Sequence, residues 1–322
     1  IPPPPMITST LQGIMSKDYN MDADKTMAAA QRLYETGFVS YIRTDSTRIS
    51  DESMVELRDF IKQKYDLPAK PHIYKNKDAA QDAHECIRPT SITLEPDNQY
   101  AIIDDDEKLV YSVIYKYYIA SQMNPAIYDV VKVTAVPENN QSFEFKTSGK
   151  TLKYKGFLEV LNDDESDKVL PEFLKNEKLK LDNIKNDKKQ TQPPPRYSQY
   201  KLINELDKKN IGRPSTYADL LSKITTKNYV EKKGNIYHPT ELGIKVTEIL
   251  TKYFTFMNYN YTAELEKKLD EIEAGKLDHI QMLKDFYPSF KNEIDKAYVA
   301  MGVDLCKKCN FPIIERKNKN NQ

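Results

Sequence analysis

The stretch Val39-Ser40-Tyr41-Ile42-Arg43-Thr44-Asp45-Ser46-Thr47-Arg48 organises the rest of the chain. In an extended strand, residues two apart share a face, so Tyr41 and Arg43 would point the same way. A free tyrosine has a pKa of about 10 and is a poor nucleophile at neutral pH. A neighbouring guanidinium favours the phenolate and can hold a phosphate oxygen. The pair therefore suits phosphodiester chemistry, although a half-buried strand with surface charge would show the same spacing.

The composition of the 322 residues indicates a folded soluble protein with room for two or three domains. The 48 basic and 48 acidic residues give zero net charge, so a nucleic-acid site would have to be a local groove. We find no membrane-spanning stretch and no signal peptide, and three cysteines do not make a disulfide framework, so we expect a cytoplasmic protein. The chain opens on Ile1 and a proline run, which we interpret as the middle of a longer protein.

Several motifs together resemble those of type IA DNA topoisomerases. The segment Ala30-Gln31-Arg32-Leu33-Tyr34-Glu35 precedes the first stretch as it does in that family, and Ile7 to Gln12 resembles a further family signature. The resemblance implies that Tyr41 attacks a DNA phosphate and forms a 5′-phosphotyrosine link, and that Arg43 positions this phosphate. It also implies DNA contacts from residues of the same motifs, namely Gln31, Ser40 and Asp45.

A second motif is Gln81-Asp82-Ala83-His84-Glu85-Cys86-Ile87-Arg88-Pro89-Thr90. A lone histidine is more often structural than catalytic, but the family carries the same motif with alanine in place of Cys86. The resemblance implies that His84 lies near the scissile phosphate and that Arg88 shapes the pocket and contacts DNA. An imidazolium could stabilise charge or bond a phosphate oxygen there. Glu85 could orient that imidazole or cap a local turn.

A third motif is Ile211-Gly212-Arg213-Pro214-Ser215-Thr216-Tyr217-Ala218. Pro214 predicts the first turn of a helix that runs to Thr226. A helix start offers free N–H groups to an anion, and Arg213 adds a cation. The same residues would also occur at a helix start that binds nothing. The motif resembles one of the family, which implies DNA-backbone contacts from Arg213, Thr216 and Lys227.

Two segments raise the question of metals. The acidic run Asp104 to Glu107 could bind magnesium, but it precedes an amphipathic pattern, and acids at a helix N-terminus are ordinary dipole complements. Cys306-Lys307-Lys308-Cys309 has zinc-knuckle spacing but supplies two of the four ligands that a structural site needs, so we expect no zinc in this chain. The resemblance implies Mg²⁺ in an N-terminal toprim domain, whose clustered acids do not occur here.

The predicted fold class is α+β and multidomain, part of a toroidal type IA topoisomerase core. We predict a helical domain with the catalytic tyrosine over 1–122, a β-rich gate segment over 123–192, a mostly helical DNA-groove domain over 193–300, and the start of a zinc-repeat tail over 301–322. Helices are expected from Asp22 to Glu35 and from Ser50 to Lys64. Strands are expected over 128–134, 143–146 and 151–160, with turns at Asn139-Asn140 and Ser148-Gly149. A further candidate strand lies over 179–184, an acidic loop runs from Asn162 to Glu165, and a small hairpin is expected around Gly234-Asn235.

These expectations combine into one functional hypothesis. The chain is interpreted as the central and C-terminal portion of a type IA topoisomerase, an ATP-independent enzyme that relaxes negatively supercoiled DNA by cutting one strand, passing the other and resealing. We expect it to act as a monomer in the bacterial cytoplasm, at the nucleoid, on single-stranded or underwound DNA, beside the N-terminal segments of its own protein. This portion alone should relax no plasmid. A non-catalytic single-stranded DNA-binding fragment is the alternative hypothesis, and a purely structural remnant is a third.

Overall fold

The structure is a computed structural model that describes residues 1–75, 84–98, 102, 104–139, 141–161, 168–309 and 311–313. The chain divides into two compact units, Ile1–Pro195 and Arg196–Gln322. Helices dominate the described residues, and the strands pair into two separate two-stranded antiparallel sheets. This mixture confirms the predicted α+β class. No helix in the described part of the chain is both long and apolar enough to cross a bilayer.

The first unit begins with three helices whose starts follow the sequence signals. The predicted helices are confirmed: Asp22 and Ser50 are the N-cap residues of α2 and α3, and the Ser50 hydroxyl accepts the N–H of Ser53. The elements of this unit, in chain order, are α1 Thr8–Asp18, α2 Ala23–Glu35, α3 Asp51–Lys64, a short 3₁₀ turn Pro96–Asn98, α4 Asp105–Ala120, β1 Ile127–Ala135, β2 Phe145–Tyr154 and α5 Leu158–Leu161.

Helix α4 is the centre of the hydrophobic core in this unit. It packs against α2, which packs in turn against α1, and its Tyr111 and Ile114 are fully buried. The same core takes in Ile42 and Ile87, which lie in the first two sequence motifs. Burying an aliphatic side chain contributes roughly 1.5–3 kcal/mol. Val39 and Cys86 belong to the same core, so each motif is anchored to it through two buried side chains.

Strands β1 and β2 form one antiparallel pair whose register runs from Ala135 opposite Phe145 to Ile127 opposite Tyr154. The prediction of two separate strands with a turn at Ser148-Gly149 was wrong, because β2 continues through these residues. Gly149 instead permits a close approach: a Cβ there would lie 2.7 Å from the Lys168 carbonyl oxygen. Lys168 exchanges two backbone hydrogen bonds with Lys150, at 2.9 and 3.1 Å.

Two other predictions for this region have different outcomes. The candidate strand over 179–184 was wrong, because those residues have no regular secondary structure and are exposed to solvent. The predicted acidic loop from Asn162 to Glu165 lies outside the described residues.

The second unit consists of five helices and a small hairpin in its described part. The hairpin predicted around Gly234 is confirmed, and Gly234 adopts a φ of +59° in its turn. The elements are α6 Gln199–Lys208, α7 Tyr217–Thr226, β3 Val230–Lys233, β4 Ile236–Pro239, α8 Glu241–Tyr253, α9 Tyr259–Glu273 and α10 His279–Ala300.

The helix predicted to start at Pro214 begins instead at Tyr217. The cause is a tight turn closed by Thr216, whose N–H donates to the Arg213 carbonyl oxygen at 2.8 Å. The Thr216 hydroxyl also accepts the Arg213 N–H at 2.8 Å. Helical bonding starts only where the Leu220 N–H donates to the Thr216 carbonyl oxygen, at 2.9 Å.

Candidate active site

The segment that carries Tyr41 is not a regular β-strand. It forms one isolated antiparallel pair, between Val39 and Pro89, and its backbone bends at Ile42 and Arg43. Exposure nevertheless alternates along it. The side chains of Tyr41 and Arg43 are exposed, Tyr41 to 45%, whereas Ile42 and Thr44 are buried. Both side chains therefore reach solvent although the segment is not a strand, and the phenol is not sealed inside the core.

The His84 motif lies directly beside this segment, and Ser40 holds the two together. The Ser40 N–H donates to the Arg88 carbonyl oxygen at 2.8 Å, and the Arg88 N–H donates to Ser40 Oγ at 2.9 Å. The Ser40 hydroxyl donates to the carbonyl oxygen of Cys86 at 3.0 Å. Because Cys86 is completely buried, this connection fixes the two motifs to the core as one body.

Two rings flank the Tyr41 side chain. The His84 ring centroid is 6.2 Å from that of Tyr41, and the Tyr34 ring meets Tyr41 edge-on with centroids 5.5 Å apart. Within the described ranges, the Tyr41 hydroxyl makes no hydrogen bond and Arg43 has no ion-pair partner. The nucleophile candidate and its neighbouring cation are therefore both available to a phosphate group.

A small charge network lies next to these rings. Arg88 Nε donates to Glu85 Oε2 at 3.0 Å, and Arg48 Nη2 lies 4.0 Å from Glu85 Oε1. The structure thus gives Glu85 a role that the sequence did not suggest, since its carboxylate lies between two arginines. Two arginines therefore share this one carboxylate, and the exposed Arg43 lies five residues before Arg48 in the same segment. The region is a local positive patch on a chain whose overall charge is zero.

The other residues assigned to DNA in this unit have ordinary surroundings. Gln31 is half-buried on α2, and its Nε2 donates to Glu35 Oε1 at 2.8 Å. Asp45 is half-buried and directly follows Thr44. The DNA contacts proposed for Gln31, Ser40, Asp45 and Arg88 stay predictions.

Sequence reasoning missed two residues that shape this site. Tyr34 lies in a quoted motif, but its edge-on contact with Tyr41 depends on how the chain turns after α2. Thr8 is completely buried, and its hydroxyl donates to the Ile42 carbonyl oxygen at 2.7 Å. Its position in the Ile7 to Gln12 signature was the only available signal.

The Arg213 group lies in the second unit and is internally paired. Arg213 Nη2 donates to Asp270 Oδ2 at 2.8 Å, and Nη1 lies 3.6 Å from Glu266 Oε2. The Thr216 hydroxyl is engaged with the Arg213 backbone, as described above. Lys227 is exposed and caps the C-terminal end of α7. A phosphate would have to compete with both acids for Arg213, and the three DNA contacts stay predictions.

The described residues do not fit the metals that the resemblance implies. No group of three or more His, Cys, Asp or Glu side chains in the described ranges could hold an ion. The Asp104 carboxylate accepts the N–H groups of Asp106 and Glu107 at 3.0 and 3.1 Å, and Lys25 pairs with Asp106 at 2.8 Å. The acidic run therefore caps α4 and ties it to α2.

The Cys-x-x-Cys segment has part of the geometry of a thiolate site. The backbone N–H groups of Lys308 and Cys309 lower the pKa of the Cys306 thiol because they stabilise its thiolate. The described part of the chain supplies no further ligands to complete a zinc site.

Comparisons with known proteins agree with the geometry. A family model described as DNA topoisomerase matches residues 1–284. The chain is 37% identical over 338 residues to DNA topoisomerase 1 of Helicobacter pylori, covering 98% of this chain and 46% of that protein. It is 39% identical to DNA topoisomerase 1 of Pseudomonas aeruginosa, with 98% and 38% covered. Full-length topoisomerase I from Thermotoga maritima superposes with a TM-score of 0.79 at 32% identity, covering 90% of this chain and 49% of that one. The chain thus spans less than half the length of each relative.

Proposed function

Since the chain belongs to the type IA DNA topoisomerase family, we propose that it carries the strand-cleaving tyrosine of an enzyme that relaxes negatively supercoiled DNA without ATP. One observation carries this proposal. The exposed Tyr41 lies between the rings of His84 and Tyr34 and next to an exposed, unpaired Arg43 in the part of the chain that the structure describes. Such an arrangement leaves a nucleophile and a phosphate-binding cation accessible to one strand of DNA.

The chemistry is a reversible exchange of one phosphodiester for another. The Tyr41 oxygen attacks the phosphorus, the bond from phosphorus to the 3′ oxygen breaks, and the phenol proton is given up while the leaving oxygen takes one. Arg43 holds a non-bridging phosphate oxygen, and His84 donates a hydrogen bond or a proton nearby. Attack by the freed 3′ hydroxyl on the phosphotyrosine reverses every step. Because one phosphodiester bond is kept throughout, no ATP is needed.

The substrate in this proposal is single-stranded or underwound DNA. The chain has no net charge, so affinity must come from the local cations around Glu85 and from bases stacking on the exposed rings of Tyr34 and Tyr41. The affinity should therefore fall steeply with salt. We place the protein in the bacterial cytoplasm as a monomer, beside the N-terminal segments of its own polypeptide, where a toprim domain would hold Mg²⁺.

Formation of a covalent adduct tests the proposal. The chain is incubated with a single-stranded oligonucleotide labelled at its 3′ end and is then run on a denaturing gel. Label should stay on the protein, because a 5′-phosphotyrosine retains the downstream piece. Tyr41→Phe should abolish the adduct, whereas Tyr34→Phe, the matched control at the neighbouring ring, should retain it. An adduct that persists in Tyr41→Phe, or none in the parent chain, rejects the assignment.

The alternative function is non-catalytic binding of single-stranded DNA. One observation favours it: the exposed rings of Tyr34 and Tyr41 lie near the arginines at Glu85, and base stacking and charge can bind a single strand without cutting it. We expect the chain alone to leave a negatively supercoiled plasmid unrelaxed even with Mg²⁺. Salt-dependent binding without any adduct would support the binding role, and efficient relaxation would overturn the expectation of a partial enzyme.

A further inference from the structure

Thr8 lies outside the three motifs to which chemistry is assigned, yet its polar atoms meet the segment that follows Tyr41. Its N–H donates to the Thr44 carbonyl oxygen at 3.0 Å. Its hydroxyl lies within donating distance of the carbonyl oxygens of Ile42 and Thr44, at 2.7 and 3.0 Å. The same hydroxyl accepts the Thr44 N–H at 2.9 Å. The buried Thr8 hydroxyl thus lies within hydrogen-bond distance of three backbone groups next to Arg43: the carbonyl oxygens of Ile42 and Thr44 and the N–H of Thr44.

We propose that Thr8 is a positioning residue for strand cleavage, which holds Tyr41 and Arg43 at the surface by fixing the backbone between and behind them. This inference rests on the proposed function. Thr8 touches neither reacting atom, so it acts only through the backbone of Ile42 and Thr44.

The need for such a residue follows from the missing strand. Backbone groups of Ile42 and Thr44 have no adjacent strand to bond, and buried backbone groups without partners are costly. Thr8 is the first residue of α1, where a helix leaves its N–H free, so it can satisfy them without weakening the helix. Helix α1 is itself fixed in the core by Leu11 and Met15, which are completely buried. The rigidity of the core is thereby transmitted to the nucleophile segment.

The same arrangement continues beyond Thr44. The Ser46 N–H donates to Thr44 Oγ1 at 3.0 Å, and the Arg48 N–H donates to Ser46 Oγ at 3.2 Å. Thr44 and Ser46 are buried and Arg48 reaches Glu85. The hydroxyl of Thr8 is therefore the first in a series that fixes the segment from Tyr41 to the arginines beside His84. Small errors in such placement cost large factors in rate, because the reacting atoms must be aligned.

Thr8→Val tests the proposal, because valine keeps the shape but removes the hydroxyl that donates and accepts. Three quantities are measured on the full chain: the rate of adduct formation at saturating oligonucleotide, the Kd for that oligonucleotide, and the hydrogen exchange of the Thr44 and Ile87 amides. We expect the rate to fall about tenfold or more and Thr44 exchange to rise by about fivefold, since a net hydrogen bond is worth about the latter factor. The Kd and the Ile87 exchange, whose N–H donates to Met6, should stay unchanged.

Two further variants separate positioning from general destabilisation. Thr8→Ser keeps the hydroxyl and should restore both the rate and the exchange. Thr10→Val is the matched control on the same helix, because the Thr10 hydroxyl bonds only Ile7 and Met6 and not the Tyr41 segment. It should leave the rate unchanged. A full rate in Thr8→Val, no rescue by serine, or an equal loss in Thr10→Val overturns the proposal.

Failure of the proposed function gives a different result. If the parent chain forms no adduct, the cleavage function is rejected, and the positioning role is then judged on exchange alone. Faster Thr44 exchange confined to Thr8→Val would support it, and unchanged exchange would overturn it.

Discussion

Replacing Ser40 by alanine gives a sharp test of how the two active-site motifs are joined. The Ser40 hydroxyl donates to the Cys86 carbonyl oxygen at 3.0 Å and accepts the Arg88 N–H at 2.9 Å. Each bond is worth about 1 kcal/mol net, so Ser40→Ala should lower the free energy of unfolding of the first unit by about 2 kcal/mol. That corresponds to a Tm lower by about 4–8 °C for a unit of this size. The backbone bond between Ser40 and Arg88 remains, so the fold should survive.

Urea unfolding followed by tyrosine fluorescence measures this loss, since the chain has no tryptophan. Ser91→Ala is the control, because the Ser91 hydroxyl meets only the exposed Thr93 hydroxyl, at 2.9 Å. We expect it to change the free energy of unfolding by less than about 0.5 kcal/mol.

The same variant decides whether Ser40 also contacts DNA. Phosphate oxygens accept hydrogen bonds, and the Ser40 hydroxyl has a single proton, which it gives to Cys86. We therefore expect the affinity for the oligonucleotide to change less than about threefold, which is less than the loss of one hydrogen bond would cause. Adduct formation should nevertheless become slower. A large loss of affinity with unchanged stability would refute this reasoning and make Ser40 a DNA contact, as the family resemblance implies.

Three more predictions concern groups outside that junction. Gln12→Met should raise the free energy of unfolding by about 1 kcal/mol, because both polar atoms of the Gln12 side chain are buried and find no hydrogen-bond partner among the described residues. A fall in the free energy measured by urea unfolding would show that the amide has a partner such as a buried water. Asp270→Asn should tighten low-salt oligonucleotide binding about threefold or more if Arg213 contacts phosphate, because it removes the charge that competes for the guanidinium; unchanged or weaker binding would make the pair structural. Burial raises the pKa of Cys86 to about 12, whereas backbone N–H groups lower the pKa of Cys306. At pH 7–8 iodoacetamide should therefore modify Cys306 before Cys86, and the reaction of Cys306 should become faster as the pH rises. Rapid labelling of Cys86 in the folded chain, measured by peptide mass spectrometry, would contradict this.

The sequence correctly predicted those helices and turns that depend on residues close together in the chain. Helices α2 and α3 begin and end where their apolar spacing predicted, and Gly234 makes the expected hairpin turn. The exposure of Tyr41 and Arg43 also followed from simple alternation. Each of these features depends on residues within a few positions along the chain.

The features that escaped prediction depend on distant residues. The Tyr41 segment is not a strand because its partners are Thr8 and the His84 motif. Arg213 is paired with Asp270, a residue on another helix that no spacing rule could select. Strand β2 runs through Gly149 because it pairs there with Val131 of β1, and Lys168 bonds Lys150 from beyond the hairpin.

That approach at Gly149 also has a bearing on self-association. The two backbone hydrogen bonds between Lys150 and Lys168 cover part of the edge of β2 that does not face β1, and this strand exposes Phe145. Unpaired strand margins with apolar side chains are templates for joining other molecules. A methyl group at position 149 would push Lys168 away from β2. We therefore expect that glycine at this position helps to prevent edge-to-edge association between copies of this chain.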